Sequence, residues 1–512
     1  MKEYFKKVLQ AQVYEVAKET PLEKAQNLSR RFKNNIYLKR EDLQEVFSFK
    51  IRGAFNKMRN LSKIQLSKGV ITSSAGNHAQ GVALSALKLN TRATILMPIT
   101  TPVVKINAVE SLNAEVILFG DTYDETYKEA TRLSEERELT FIHPFDDIDV
   151  IAGQGTIAVE LISQLSNIPD CIYVAVGGGG LISGISIYIK TLWPEVEIIG
   201  VEPEDANAMT VSLRENKIVN LESVGLFADG VAVKKIGEKT FKIAKKYVDR
   251  MITVNTDEIC AAIKDGFEDT RSILEPAGAL SIAGMKKDIE NLNHKNKDLI
   301  AIACGANMNF ERLRFVAERA ELGEYKEMML AVEIPERAGS LIELVKLLKS
   351  RNLTEFSYRM SNSKNAQIFI GLEVSGVNDK ETFIEEFSKS NYKFIDISND
   401  ELAKNHLRHM VGGRLPIELF KTSSNLKELL YRFEFPERPG ALINFLENMK
   451  PNWSISIFHY RNHGADVGRI VIGVLIKEQE LNDWFKFIKL LGYKYWEETN
   501  NQTYKLFLGA SN

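Results

Sequence analysis

Two features of this chain could act together in chemistry: a lysine amine among small and apolar residues, and a run of glycines. Lys50 lies within SFKIRGA (residues 48–54). An amine in a partly desolvated pocket has a lowered pKa and becomes a usable nucleophile and base. The glycines occur in VGGGGLISG (residues 176–184), after an apolar stretch. Such a loop lets backbone N–H groups converge on a phosphate. A solvated lysine and a flexible loop are the ordinary alternatives for each feature alone.

Two further motifs also follow apolar stretches that are typical of strands. SSAGNHAQG (residues 73–81) combines small residues with an asparagine, and a turn of this kind can present N–H groups to an anion. CGANMNF (residues 304–310) places Cys304 where open α/β sheets bind ligands. A plain tight turn and a buried structural cysteine are the alternatives. Taken together, an amine, anion-binding amides and a thiol suit a phosphorylated aldehyde as the ligand.

The glycine run does not match the common nucleotide motifs. It lacks both the GxGxxG pattern with its acidic partner and the GxxxxGK[ST] pattern, so an isolated phosphate ester fits better than a dinucleotide or ATP.

Lysine and arginine total 66 against 68 aspartates and glutamates, a net charge of −2. This balance does not indicate a nucleic-acid-binding protein, which would carry an excess of positive charge. The three cysteines form no CxxC pair, which indicates a reducing, cytoplasmic environment.

Two segments bear on membrane association and secretion. Residues 171–189 carry no charge, but four consecutive glycines interrupt them, and each costs about 1 kcal/mol in a helix. This segment is predicted to be a strand, a glycine loop and a helix in a protein with no membrane partner. The first twenty residues have charges scattered among apolar positions, which predicts an amphipathic helix rather than a signal peptide.

Up to about Phe310, β-rich runs alternate with segments of helical length. Several runs are apolar throughout, as expected for parallel strands that are covered on both faces. The pattern predicts an α/β, doubly wound arrangement. The runs are residues 69–75, 93–99, 114–120, 171–176, 197–203 and 298–304.

Past about Glu324 the chain repeats itself. IPERAGSL (residues 334–341) recurs as FPERPGAL (residues 435–442), with an offset of 438 − 337 = 101. FSYR (residues 356–359) recurs as FHYR (residues 458–461), with an offset of 102. Each copy reads as strand, glycine-containing turn, helix, strand and strand, which predicts a ferredoxin-like α+β unit. Neither copy has a catalytic constellation, so binding or assembly is favoured over duplicated scaffolding.

The four strand-end motifs resemble those of the fold-type II pyridoxal 5′-phosphate (PLP) enzymes, and specifically the threonine/serine dehydratase family. The layout is similar to that of its biosynthetic members, in which a catalytic domain of two open-sheet subdomains precedes two ACT-like regulatory domains. Further motifs extend the resemblance over nearly the whole chain. They are HPFDD (143–147), AGQGT (152–156), EPAGA (275–279) and ERAELGE (318–324).

The resemblance assigns roles to particular residues. Lys50 would form the Schiff base with PLP, and Phe49 would pack beside it. Asn77 would hydrogen-bond the phenolic oxygen of the cofactor, and Cys304 would face its pyridine nitrogen. The residues that would hold the phosphate through backbone N–H groups are Gly177, Gly178, Gly179, Gly180 and Leu181. The residues that would bind the substrate carboxylate are Ser73, Ser74, Ala75 and Gly76.

A metal site occurs in some relatives, around a strand-end EP motif. Here Glu202 is present, but the position of the second acidic ligand is Ala208, so no metal is expected. The resemblance also implies a division into a catalytic domain, residues 1–323, and ACT-like domains at residues 328–400 and 421–494.

The activity that the resemblance implies is dehydration and deamination of L-threonine to 2-oxobutanoate and ammonia, the first committed step of isoleucine biosynthesis. Isoleucine would inhibit through the C-terminal domains, valine would oppose it, and a cytoplasmic homotetramer is the family expectation. The alternatives are serine dehydratase or serine racemase activity, and a non-catalytic amino-acid sensor on the same fold. The lysine, the glycine loop and Asn77 argue against the sensor.

Overall fold

The computed structural model describes residues 2–348, 351–360, 364–409, 426–436, 441–450, 452–461, 467–502, 504 and 508. The chain divides into two compact units, Met1–Gly323 and Glu324–Asn512. Two parts of the sequence predictions lie outside the described residues: residues 437–440 of the second repeat motif, and the start of the second predicted ACT-like domain at 421–425.

The N-terminal unit contains two sheets. The larger has the order β1-β2-β10-β7-β8-β9 and is parallel except for the β1–β2 pair, and the smaller, parallel throughout, has the order β5-β4-β3-β6. The strands are β1 (Leu22–Lys24), β2 (Asn35–Arg40), β3 (Val70–Ser73), β4 (Ala93–Met97), β5 (Glu115–Leu118), β6 (Thr140–Phe141), β7 (Cys171–Ala175), β8 (Glu197–Pro203), β9 (Arg250–Val254) and β10 (Asp298–Ala303).

Helices connect these strands, and α9 and α13 both pack against the central strand β7. The helices are α1 (Lys2–Leu9), α2 (Gln26–Phe32), α3 (Lys50–Arg59), α4 (Lys63–Lys68), α5 (Asn77–Lys88), α6 (Val103–Glu110), α7 (Tyr123–Glu136), α8 (Ile148–Gln164), α9 (Gly180–Leu192), α10 (Ala208–Arg214), α11 (Glu238–Tyr247), α12 (Thr256–Thr270), α13 (Pro276–Leu292) and α14 (Arg312–Gly323). Short 3₁₀ turns occur at Glu41–Leu43 and Asp229–Val231.

The predicted strands of the N-terminal unit are confirmed within two residues at each end. β7 is buried at every position and β10 at all but its first, which explains why both read as continuous apolar runs. β1, β2, β6 and β9 were not predicted, because they are short or carry polar residues. Residues 171–189 form β7 and most of α9, and none of the described helices is both long and apolar enough to cross a membrane.

The predicted N-terminal helix is correct only as far as Leu9. Beyond it, side chains from other elements bind backbone N–H groups that a helix would use. The N–H of Gln12 donates to Asn56 Oδ1 at 3.1 Å, and that of Thr20 donates to Glu160 Oε2 at 3.2 Å. Tertiary hydrogen bonds therefore override the local helical pattern.

The C-terminal unit is built on an antiparallel sheet of order β14-β11-β13-β12-β16-β17-β15-β18. Its elements are β11 (Glu327–Pro335), α15 (Ser340–Leu347), β12 (Leu353–Arg359), β13 (Asn365–Glu373), α16 (Val377–Phe387), β14 (Lys393–Asp396), α17 (Glu401–Asn405), β15 (Leu426–Pro436), α18 (Ala441–Glu447), β16 (Ser454–Arg461), β17 (Val467–Lys477), α19 (Leu481–Leu491) and β18 (Lys494–Glu497), with 3₁₀ turns at Leu407–His409 and Glu478–Glu480.

The two sequence repeats form the two halves of this sheet. Each half runs β-α-β-β-α-β, which confirms the predicted ferredoxin-like unit and adds the second helix and fourth strand of each copy. The halves join where β12 pairs with β16: Phe356 lies opposite Tyr460, and Tyr358 lies opposite Phe458. The repeated FSYR and FHYR motifs are therefore the seam between the two copies.

Candidate active site

Lys50 is the first residue of α3, and the segment before it runs along the loop after β10. The N–H of Phe49 donates to the carbonyl of Cys304 at 3.2 Å, and the N–H of Ala306 donates to the carbonyl of Phe47 at 2.8 Å. Phe47 has a φ of 55°, a left-handed conformation that is uncommon for a residue with a side chain. These backbone contacts place the lysine beside the cysteine, as the sequence prediction requires.

The amine of Lys50 lies in a largely enclosed, weakly polar setting. Its Nζ donates to the carbonyl of Pro144 at 3.2 Å and lies 5.4 Å from the ring centroid of Phe49. Burial lowers the pKa of Lys50 to about 8, and the nearby Cys304 and Glu275 oppose that shift. A substantial share of the amine is therefore neutral in mildly alkaline solution, where it can act as a nucleophile or accept a proton.

The glycine run connects β7 to α9 through a tightly packed loop. Gly179 has a φ of +92°, which a side chain would strain. A Cβ on Gly178 would lie 2.3 Å from the ring of Phe145, and one on Gly177 would lie 2.9 Å from Val231 Cα. The hydroxyl of Thr240 donates to the carbonyl of Gly178 at 2.7 Å. Only glycines can follow this path, because the surrounding protein leaves no room for side chains.

Three backbone N–H groups of the same loop make no hydrogen bond to the described residues. They are the N–H groups of Gly177, Gly178 and Gly179, although the last two residues are buried. Buried N–H groups are rarely left unpaired in proteins. The loop also ends at the N-terminus of α9, where the helix dipole favours negative charge. The phosphate of PLP fits this donor set.

The substrate-binding candidates lie at the corresponding point of the smaller sheet. Ser73 ends β3, and Asn77 begins α5. The N–H of Gly76 donates to Ser74 Oγ at 3.2 Å, and a Cβ on Gly76 would meet no atom within 4 Å. Ser73 Oγ is buried and has no hydrogen-bond partner among the described residues. An open glycine and a buried, unpaired hydroxyl beside a helix N-terminus are suited to a carboxylate.

Cys304 follows β10 and is buried, with its Sγ 3.3 Å from the carbonyl of Ala277. Burial, and then the charge of Glu275, raise the pKa of this thiol far above its usual range. The thiol is therefore neutral and is not an anionic partner for a pyridine nitrogen.

Glu202, at the end of β8, was considered above as a metal ligand, and in the structure its carboxylate binds the protein itself. Its carboxylate accepts from the N–H of Met209 and from the N–H of Thr210, each at 2.8 Å, and from Thr210 Oγ1 at 2.6 Å. Burial raises the pKa of Glu202 to about 7. Both oxygens thus bind the first turn of α10. Within the described residues, no group of three or more histidine, cysteine or acidic side chains is arranged to hold a metal ion.

The structure adds two residues that the motifs did not single out. Glu275 is buried and its Oε1 accepts from Asn77 Nδ2 at 2.5 Å, while Asn307 Nδ2 donates to Asn77 Oδ1 at 2.6 Å. EPAGA and CGANMNF contributed to the family resemblance, but no role had been given to their acid and amide. An acidic residue directly before a run of small residues was the available signal.

The sequence-predicted residues therefore converge from the ends of β3, β7 and β10 and from the start of α3. Pro144 and Phe145 connect two of them, because the carbonyl of Pro144 binds the Lys50 amine and the ring of Phe145 packs against Gly178. An amine, an oriented amide, a neutral thiol and unpaired N–H groups fit the aldehyde, phenolic oxygen, pyridine nitrogen and phosphate of PLP.

Comparison with known proteins agrees with this chemistry. Residues 13–305 match the family of pyridoxal-phosphate dependent enzymes. Residues 318–407 and 421–508 each match the C-terminal regulatory domain of threonine dehydratase. The matched ranges cover both the N-terminal unit and the two repeats of the C-terminal unit.

The chain is also similar to individual proteins along its whole length. It is 50% identical to the biosynthetic L-threonine dehydratase IlvA of Burkholderia multivorans, covering 99% of each chain. It is 47% identical to the Escherichia coli protein of that name, covering 99% of this chain and 97% of the other. The solved structure of processed threonine deaminase isoform 2 from Solanum lycopersicum matches with a TM-score of 0.62 and 51% identity, over 62% of this chain and 88% of that one. This chain belongs to the biosynthetic threonine dehydratase family of PLP-dependent enzymes.

Proposed function

We propose that this enzyme converts L-threonine to 2-oxobutanoate and ammonia, the first committed step of isoleucine biosynthesis, under control of its C-terminal unit. The observation that carries the proposal is the Lys50 amine, with a pKa of about 8, placed near Cys304 and the Asn77-bound Glu275, next to a glycine loop with unpaired N–H groups. Family membership supplies the cofactor and the substrate class.

PLP, when bound, supplies an aldehyde for an amino group and a ring that withdraws electrons from the substrate's α-carbon. Lys50 holds the cofactor at rest. Its amine is also the base that we assign to removal of the α-proton, since burial keeps its pKa near the operating pH. When the amine is free, the carbonyl of Pro144 accepts a hydrogen bond from Nζ and so orients it.

The other residues bind and orient. We assign the phosphate to the N–H groups from Gly177 to Leu181 and the substrate carboxylate to the segment from Ser73 to Gly76. Cys304 stays neutral and so does not stabilise a protonated pyridine nitrogen. A ring left less electron-withdrawing in this way would favour loss of the β-hydroxyl, which takes a proton and departs as water, over side reactions such as transamination.

A ketoacid assay tests the proposal. The purified enzyme with PLP is given L-threonine or L-serine, each with and without isoleucine, and 2-oxobutanoate or pyruvate is measured. We expect a higher kcat/KM for threonine, and inhibition by isoleucine. One methyl group is worth only about 1–3 kcal/mol in a binding pocket, so serine should react measurably. Absence of ketoacid from either substrate would support a non-catalytic sensor, and D-serine formation would support a racemase.

Regulation requires a site for an amino acid in the C-terminal unit, and we propose that a cavity between its two repeats binds isoleucine or valine. The cavity has a volume of about 350 Å³, within the range of small-molecule sites. Its walls come from the first repeat, including the 334–341 motif, and from the end of α18 and start of β16 in the second.

The polar groups of this cavity suit a zwitterion. Glu336 accepts from the Tyr358 hydroxyl at 2.5 Å, and its other carboxylate oxygen is buried with no partner among the described residues. Burial raises the pKa of Glu336, and an ammonium group would satisfy it. Ser340 Oγ and Trp453 Nε1 are also buried without a partner in the described part of the chain, and both can donate to a carboxylate. Leu341, Met360 and Ile455 supply apolar surface for the effector's side chain.

Glu336→Gln tests this assignment. Loss of a charge-assisted hydrogen bond costs about 1.5–3 kcal/mol, so the isoleucine concentration for half-inhibition should rise roughly 10- to 100-fold. Inhibition is expressed relative to the uninhibited rate of each variant. Glu381→Gln, on the exposed surface of α16, is the matched control. A Glu336 variant as sensitive to isoleucine as the control would show that the effector binds elsewhere.

We also propose the domain limits 1–323, 328–400 and 421–494, a homotetramer, and a cytoplasmic location. The division of the chain at Gly323 and the two matches to the regulatory-domain family support the limits. Sedimentation of the purified enzyme tests the tetramer, and limited proteolysis near residue 324 tests the division between catalytic and regulatory parts.

A further inference from the structure

Glu275 is a buried acidic residue at the start of a helix. It is the N-cap residue of α13, yet its side chain makes no hydrogen bond to that helix. A carboxylate at a helix start is normally stabilised by the helix's own N–H groups and dipole. Glu275 is instead 4% exposed, and it directs Oε1 to Asn77 Nδ2 at 2.5 Å. The carboxylate therefore binds Asn77 in the candidate active site and does not cap its own helix.

The Asn77 amide is held from both sides. Its Nδ2 donates to Glu275, and its Oδ1 accepts from Asn307 Nδ2, which also donates to the carbonyl of Val46 at 2.9 Å. An ionised carboxylate only accepts hydrogen bonds, so the NH₂ group must face Glu275. That leaves one N–H of Asn77 for another acceptor, and the orientation of the amide is determined by its two neighbours.

The surrounding backbone makes room for this carboxylate. A Cβ on Gly305 would lie 2.3 Å from Glu275 Oε1, and one on Gly230 would lie 3.7 Å from it. Gly305 directly follows Cys304, so the chain turns past the thiol without a side chain that would displace the acid. The glycine in the CGAN motif thus leaves the space that the Glu275 carboxylate occupies.

We propose that Glu275 is a positioning residue of the catalytic site: with Asn307 it locks the Asn77 amide so that the remaining N–H is available to the phenolic oxygen of PLP. The inference rests on the proposed function. It adds a residue that acts through Asn77 rather than on the substrate, and it makes cofactor binding depend on the charge of Glu275.

That charge changes within an accessible pH range. Burial raises the pKa of Glu275 to about 7, Asp229 adds to the shift, and the Asn77 hydrogen bond, Lys105 and Lys50 oppose it. Above this pKa the carboxylate accepts strongly from Asn77. Below it, the protonated acid is a weaker acceptor and its hydroxyl is a competing donor, so the lock weakens.

The groups that face this carboxylate come from several elements. Asp229 is paired with Lys105 of α6 at 2.7 Å and lies 3.4 Å from Arg312 of α14. Cys304 remains neutral, and Lys50 titrates near pH 8 when it carries no cofactor. Because Lys50 contributes its own pH dependence, only a comparison of variants isolates the effect of Glu275.

The test compares PLP binding by the wild type, Glu275→Gln and the control Glu290→Gln, which lies at the exposed end of the same helix. The PLP is removed from each full-length protein and the dissociation constant is measured by fluorescence titration across pH. Glutamine resembles the protonated acid in shape and charge. The Glu275 variant should bind PLP roughly tenfold more weakly at alkaline pH. This ratio should fall toward one below about pH 7, while the control matches the wild type throughout.

A ratio for Glu275→Gln that does not change with pH would overturn the proposal. If that variant does not fold, as judged by circular dichroism, Asn307→Ala provides the second test. It should weaken PLP binding severalfold and keep the wild-type pH dependence, because Glu275 remains. Wild-type affinity in Asn307→Ala would also overturn the proposal. A wild-type protein that binds PLP but yields no ketoacid from threonine or serine would contradict the proposed function instead, leaving the binding comparison intact.

Discussion

Lys50→Ala should lower threonine turnover by at least about a thousandfold and remove the visible absorption of the bound cofactor. A positioned acid–base group alone contributes roughly 10²- to 10⁴-fold. This lysine also provides the covalent attachment of PLP, so both roles are lost together. Burial holds the pKa of this amine at about 8, and the carbonyl of Pro144 accepts its hydrogen bond.

Two further variants separate the chemistry from changes in charge or folding. Lys50→Arg keeps a positive charge, but a guanidinium is protonated at every accessible pH and is a poor nucleophile, so we expect it to be inactive as well. Lys63→Ala removes an exposed lysine at the start of α4 and should retain wild-type activity and absorption. Turnover by Lys50→Ala at more than a few per cent of the wild-type rate would refute the assignment.

Arg52→Met should destabilise the N-terminal unit by about 3–5 kcal/mol. Arg52 is fully buried, two residues after Lys50. Its guanidinium donates to both oxygens of Glu41 at 2.7 Å and to both oxygens of Glu160 at 2.5 and 3.0 Å. Lys39 Nζ also binds Glu160, at 2.6 Å. Arg52 and Lys39 thus balance the charges of the two buried carboxylates. Removing Arg52 leaves one net negative charge buried away from water.

Thermal unfolding that is followed through the visible absorption of the cofactor measures this effect, because that signal reports on the N-terminal unit. Arg59→Met is the matched control: Arg59 lies at the exposed end of the same helix, pairs with Glu15 and should cost less than about 1 kcal/mol. Adding Glu160→Gln to Arg52→Met restores charge balance, so the double variant should lose less than the sum of the single effects. Equal stability of the two arginine variants would contradict this account.

The same network predicts sensitivity to acid. Burial alone would raise the pKa of Glu160, but Arg52 and Lys39 outweigh it, so the pKa lies below its usual value. A carboxyl group with a lowered folded-state pKa contributes stability above its unfolded pKa of about 4.3. That contribution is lost as the pH falls from this value through the folded pKa. Unfolding midpoints measured across this window should fall more steeply for the wild type than for the doubly substituted protein.

Some of these features could be predicted because they depend on short stretches of chain. An apolar run that is buried on both faces reads as a strand from its own residues, which is why β7, β8 and β10 were located closely. The glycine loop was also recognisable, since a backbone that curls around an anion tolerates no side chains. The repeated motifs predicted two similar units, although not which edges would meet.

Other features depend on partners that are far apart in sequence. The N-terminal helix stops at Leu9 because side chains of distant elements bind the N–H groups that follow. The Glu275–Asn77 pair spans 198 positions, and no local pattern indicates that this acid leaves its helix for the active site. Its raised pKa arises from burial, which exists only in the folded chain.

The sequence by itself therefore determined the strand-end motifs, the lysine that we assign to the cofactor and the duplicated C-terminal architecture, because local chain geometry and residue chemistry specify them. The tertiary structure decided how those parts meet: Lys50 beside Cys304, Arg52 between two buried carboxylates, and Asn77 held between Glu275 and Asn307. Contacts between distant residues set the burial and hydrogen bonding that shift pKa values, so the chemical state of the site follows from the fold.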